Sequence, residues 1–370
     1  MRGMTWDHPR GFDPLAAAAL IWEQRTGEAI TWDRRSLQDF ETYPVEDLAR
    51  DYDLIVIDHP HVGQVADSGC LIPLGAVIDA AALAEVAAGS VGGSYDSYHW
   101  AGHQWALPID AAAQVQAWVP GRIAAPVTDW KDLLSLASAG RAALPLRPPH
   151  SLMSLFTLCG LLGITLDSDA ADTLFPPDAA RAVALLGDLA AVLDPLVYTM
   201  DPIAMLEEMA RPDGPLAMAP LIYGYVNYAL DGFRPHTIRF ADVPTLGHGP
   251  GGSALGGTGI AVSAFGADPA GAARFAGWIA SGAAQRDVVA AHGGQPAHAA
   301  AWDADTVNAT THGFYRDTRA TLDRAWLRPR HHGYMAFQHA ASERLNAALQ
   351  RREPGDEAIA ALNRLYVASR

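Results

Sequence analysis

Two stretches of this sequence combine aromatic faces with groups that hydrogen-bond in pairs. Tyr223-Gly224-Tyr225-Val226-Asn227-Tyr228 offers phenol rings and a carboxamide in one short span. Flat rings suit the apolar faces of a small ligand, and planar polar groups accept from and donate to neighbouring hydroxyls. Tyr223, Tyr225 and Asn227 are therefore candidate ligand contacts; the plainer alternative is core packing with each hydroxyl satisfied once. The second stretch is Trp6-Asp7-His8-Pro9-Arg10-Gly11. Asp7 could grip vicinal hydroxyls through charge-assisted bonds, with Trp6 and His8 beside it. The plainer reading makes Asp7 a turn or cap group and Trp6 part of the core.

Asp58-His59-Pro60-His61 places a carboxylate and two imidazoles within four residues, half of a zinc site. Nothing elsewhere in the sequence completes it, so no metal is expected. Asp58, His59 and His61 are read instead as contacts to a polar ligand or as a solvated loop. Were the chain catalytic, Asp7, His8, Asp58 and His59 would be the acid/base candidates. Nucleophilic signatures are missing: there is no Gly-x-Ser-x-Gly elbow, and neither cysteine neighbours a histidine. The glycine-dense run from Gly247 to Gly259 matches neither a P-loop nor a dinucleotide fingerprint, and no cofactor is expected. It suits a backbone crossing or a close approach to ligand. His248, His292 and His331-His332 read as surface or satisfied core histidines. Gln295-Pro296-Ala297-His298 is a candidate for the mouth of a binding cleft.

The elements that must position these residues alternate. Gly3 to Trp6 reads as a strand, Asp13-Pro14 as the cap of a helix over Leu15 to Thr26, and Ala29 to Trp32 as the next strand. That βαβ order implies a parallel sheet. A short helix over Pro44 to Arg50 follows, and Tyr52 to Asp58 looks like a strand buried on both faces, ending in a polar loop. Ligands bind at the carboxyl ends of parallel strands, which draws attention to the residues after Trp6 and Ile57. Residues 111 to 245 repeat the alternation: a helix over Asp129 to Ala139, a strand over Arg141 to Leu146, and a helix over Ser151 to Leu162 capped by Ser151. A longer helix over Pro177 to Leu193 and a strand over Pro215 to Ile222 come next. The tail, 269 to 370, is mostly helical.

Composition bounds the function. The chain has 370 residues, enough for two or three domains, and half of them are hydrophobic. A net charge of −15 opposes nucleic acid and anionic membrane surfaces, so a neutral or cationic small molecule is the expected partner. Cys70 and Cys159 exclude a disulfide-dense scaffold and read as buried thiols, a single bridge between them being the alternative. No apolar run reaches membrane-spanning length. Met1-Arg2-Gly3 leads straight into a strand without a leader. As it stands the sequence is expected in the cytoplasm, or in the periplasm or outside the cell if a leader has been removed.

The order of these features resembles the extracellular solute-binding proteins of ABC transporters, in particular the family carrying maltodextrins and other sugars. Glu23-Gln24-Arg25-Thr26-Gly27 is similar to the end of that family's first helix. Tyr52-Asp53-Leu54-Ile55-Val56 followed by Ser68-Gly69-Cys70-Leu71-Ile72-Pro73-Leu74 is similar to its strand and turn. Ala106 to Asp110 resembles its first crossing, Gly256 to Ser263 its second, and Ala272 to Ile279 the helix that follows. The resemblance implies an α/β, two-lobed periplasmic-binding-protein-like fold of type II, each lobe a mixed or parallel sheet flanked by helices. It implies an N-terminal lobe of 1–108 plus 259–305 and a C-terminal lobe of 109–258 plus 306–370, with a solute held between them by hinge closure. Asp110, Gly256 and Gly257, at the crossings, join the expected contacts. The implied partner is an ABC transporter permease, with no nucleic acid and no membrane insertion. The rival expectation is a cytoplasmic enzyme or ligand sensor on the same scaffold, and a third is a subunit docking another protein through the helical tail.

Overall fold

A computed structural model of the protein describes residues 1–37 and 43–370. In chain order it begins with β1 (Arg2–Trp6), α1 (Pro9–Thr26), β2 (Thr31–Arg35), α2 (Val45–Asp51), β3 (Leu54–Asp58), α3 (Val62–Ser68) and α4 (Ala80–Gly89). The long strand β4 (Leu107–Trp118) leads to α5 (Trp130–Ser138), α6 (His150–Leu161), α7 (Ala180–Ala190) and α8 (Pro202–Met209). Then come β5 (Met218–Tyr223), β6 (Arg239–Ala241), β7 (Leu255–Val262) and α9 (Pro269–Ala280). Three more long helices close the chain: α10 (Phe314–Asp323), α11 (Tyr334–Arg351) and α12 (Gly355–Ala368).

The chain divides into two compact units. The first holds 1–112, 256–309 and 330–332; the second holds 113–255, 310–329 and 333–370. β4 and β7 each run from one unit into the other.

In the first unit β1 lies between β2 and β3, parallel to both, and β3 pairs antiparallel with β7 from Leu54↔Val262 to Asp58↔Thr258. The sheet is therefore mixed, not purely parallel. Leu54, Ile55, Val56 and Ile57 are all buried, as an apolar run without alternation requires of a strand covered on both faces. α1 lays Leu15, Ala18, Ala19 and Trp22 against the core. Trp22 meets Phe275 edge-on, ring centres 5.6 Å apart, which pins α9 beside α1.

α1 departs from the sequence expectation at its start. It begins at Pro9, not after Asp13-Pro14. Pro9 occupies the position where a missing N–H costs nothing, and His8 supplies the cap: its Nδ1 accepts the Arg10 amide at 3.0 Å. Pro14 falls inside the helix. The segment after β3 is likewise no loop, because His59–His61 forms a 3₁₀ turn that runs into α3.

In the second unit the later half of β4 pairs antiparallel with β5, Gln114 opposite Tyr223, and with β6, Gln116 opposite Ala241. Arg141 to Leu146, expected as a strand, makes only an isolated bridge at Ala142. α6 is buried along almost its whole circumference, and Phe156 stacks on Phe175 at 5.6 Å. It starts at His150 after Pro149 without a side-chain cap, so Ser151 does not cap it. Part of the polar surface that α6 buries is matched: Gln114 donates to Ser154 Oγ at 3.2 Å and accepts from Thr157 Oγ1 at 2.6 Å, while His150 Nδ1 and Ser151 Oγ make no hydrogen bond among the described residues. Cys70 and Cys159 are both free and buried.

Candidate functional site

The first unit gathers polar side chains around the carboxyl ends of β1 and β3. β1 ends at Trp6, β3 ends at Asp58, and Thr258 of β7 lies directly across from Asp58. Asp110 of β4 joins them because a residue on Gly257 with a Cβ would stand 2.3 Å from the Asp110 carbonyl oxygen. Gly257 also has φ +101, so both the close approach and the backbone conformation call for glycine there. Gly256, beside it, is half-buried at the start of β7.

Arg10, from the first turn of α1, completes the group. Its Nε donates to Asp110 Oδ2 at 2.7 Å and its Nη2 to Oδ1, a forked pair with both side chains 5 % exposed. Burial lifts the Asp110 carboxyl above its ordinary value, the Arg10 guanidinium opposes that, and Asp58 adds to the rise. Trp6, Arg10, Asp110, Thr258 and Gln295 line one small cavity.

The other expected contacts of this unit take definite positions. Asp7 is largely exposed and pairs with Arg34 at 3.2 Å. His8 is buried, its Nδ1 engaged with the Arg10 amide. Asp58 Oδ1 accepts the His59 amide at 2.8 Å, and the His59 ring meets Tyr98 edge-on at 6.3 Å. Tyr98 in turn donates to the Ile57 carbonyl at 3.2 Å, over the face left open by Gly259. His61 is 4 % exposed at the head of α3. Among the described residues no three His, Cys, Asp or Glu side chains converge in a way that would hold a metal ion. Of the acid/base candidates, Asp7 is in an ion pair, His8 caps α1, Asp58 caps the turn that follows it, and the His59 ring packs on Tyr98.

In the second unit Tyr223 closes β5, and its ring lies 6.3 Å from that of His150 at the head of α6. Gly224 follows, close against Phe314 and Val115. Tyr225 and Asn227 are 6 % and 3 % exposed. Tyr228 donates to Glu207 at 2.7 Å, and the same carboxylate receives the Arg234 guanidinium. Burial, with Asp201 opposing, pulls the His150 imidazole down to about 4, and its Nδ1 has no hydrogen-bond partner among the described residues. His150, Arg10 in its pairing role and Thr258 are the residues the sequence did not single out.

The profile described as "Bacterial extracellular solute-binding protein" matches residues 45–314. Among solved structures, an ABC transporter solute-binding protein from Agrobacterium radiobacter K84 in complex with ribitol aligns at TM-score 0.81 and 19% identity, over 100% of this chain and 98% of that one. One from Thermotoga lettingae TMO, bound with α-D-tagatose, gives 0.84 and 15% over 100% and 98%. Maltose-bound MalE3 of T. maritima gives 0.82 and 16% over 99% and 98%. At such identities the likeness establishes the fold, the two-lobed α/β architecture of periplasmic binding proteins. No curated protein matches the chain.

Proposed function

The chain belongs to the bacterial extracellular solute-binding protein family, and from that premise we propose that it captures a small carbohydrate or polyol outside the cytoplasm for an ABC importer. The observation that carries the ligand class is the gathering of Asp58, Thr258 and the Arg10–Asp110 pair at strand ends of one unit, dense in hydroxyl-directed groups. Within the second unit, taken by itself, Tyr223 beside His150 offers the kind of aromatic surface that a sugar ring favours. Ribitol, α-D-tagatose and maltose in the aligned structures are all rich in hydroxyls and uncharged, which supports the same class.

On this reading Asp7 and Asp58, neither of them buried, touch the solute in the first unit with the backbone of Gly256 and Gly257, and Tyr223 is the unburied candidate contact of the second unit. Trp6, His8, His59, His61, Tyr225 and Asn227 are buried and hold those contacts in place, and Asp110, also buried, faces the small cavity it shares with Thr258. No described helix is long and apolar enough to cross a membrane, and a permease would supply the passage.

Mass spectrometry of solute carried through native purification tests this directly, followed by a thermal-shift panel of ribitol, tagatose, maltose and acyl compounds. A true ligand at a hundredfold excess over Kd adds about 2.7 kcal/mol to folding. A panel in which only the acyl compounds raise the melting temperature would sink the proposed class.

A further inference from the structure

Thr258 is 7 % exposed, and among the described residues its Oγ1 makes no hydrogen bond. A buried hydroxyl stripped of water and given no partner is unfavourable, so such an atom marks a place where something else sits. Thr258 lines a cavity of about 10 Å³ in which Arg10, Asp110 and Gln295 are the other hydrogen-bonding residues beside Trp6, the rest of the wall being apolar side chains and Gly11. That is room for one non-hydrogen atom of water size and no more.

The chemistry of the walls narrows the guest. Each Asp110 oxygen takes one N–H from Arg10 and keeps a lone pair. Gln295 is fixed by donating to the Ala111 carbonyl at 2.8 Å. A guest that donates to Asp110 while exchanging a hydrogen bond with Thr258 satisfies both. A carboxylate or phosphate would face the Asp110 carboxylate, and a cation would face the Arg10 guanidinium. A hydroxyl-type oxygen, donor and acceptor at once, meets neither repulsion.

We propose that Thr258 and the Arg10–Asp110 pair form a subsite for a single hydroxyl-type oxygen, supplied by water or by one hydroxyl of the solute. Only the second source rests on the proposed function. The subsite ties β7 to β4, whose Asp110 is held by Arg10 from the first turn of α1, so whatever fills it is held by two strands of the first unit at once.

High-resolution crystals of the unliganded full chain decide the subsite itself. An ordered oxygen within hydrogen-bond distance of Thr258 Oγ1 is expected, and a dry cavity overturns the proposal. Calorimetric titration of ribitol into wild type, Thr258→Ser and Thr258→Val then separates the sources. A loss of about five- to tenfold in affinity for Thr258→Val, with Thr258→Ser close to wild type, assigns the oxygen to the solute. Equal affinities in all three assign it to water. Should ribitol fail to bind wild type, ribitol as a ligand is lost while the crystals still decide the oxygen.

Discussion

The Arg10–Asp110 pair is buried on both sides, and a buried pair responds to mutation differently from a surface one. Removing one partner takes the forked contact away from a charge that stays buried. Asp110→Ala is therefore expected to cost about 3–5 kcal/mol in urea unfolding, with the Arg10→Leu/Asp110→Leu double variant recovering much of the loss. His150 makes a pH-dependent contribution of opposite origin. Its folded value near 4 lies below the ordinary 6.5, so the unfolded chain binds more protons between those limits. Stability from this group is complete above pH 6.5 and drains away as pH falls toward 4. The full gap is worth about 3 kcal/mol. Unfolding midpoints at pH 7 and pH 4.5 should converge in His150→Phe relative to wild type, and an unchanged difference would remove His150 from the account.

At the scale of elements, α1 matters most because it carries Arg10 to the strand ends. Its cap is an imidazole, and His8→Ala should lower stability by about 1 kcal/mol, while His8→Asn, which can also accept the amide of the first turn, should restore most of it. How much of this was readable beforehand depends on range. β3 announced itself through Leu54-Ile55-Val56-Ile57, and Gly27 with φ +77 ended α1 as a glycine should. The start of α1 misled because Asp13-Pro14 has the composition of a cap. Pro9 with His8 won because a proline in first position loses no bond, while Pro14 gives up one backbone bond inside the helix. Pro60 misled in the same way, sitting in a helical turn where turn composition suggested a loop. The pairings that make the site were beyond local signals altogether. Arg10 and Asp110 lie 100 positions apart, and nothing in the neighbourhood of either names the other. His150 and Tyr223 meet only because α6 and β5 are packed by contacts spread over the second unit.

At the scale of the whole molecule, the two thiols are free and buried, so a reducing agent should leave the melting temperature where it was; a downward shift would mean that a bridge had formed in solution. The partition into units has a further consequence for how the protein is made. β3 needs β7 along its edge, and the residues it pairs with, 258–262, are synthesised some two hundred positions later. While the ribosome is still working through the intervening stretch, the nascent amino-terminal part carries a strand of Leu54-Ile55-Val56-Ile57 with one row of amides and carbonyls unmet, a template for pairing with another chain. A gene fragment ending at residue 112 would freeze that condition permanently. Holdase chaperones should accordingly crosslink to nascent chains arrested before residue 258 and release those arrested well beyond 262.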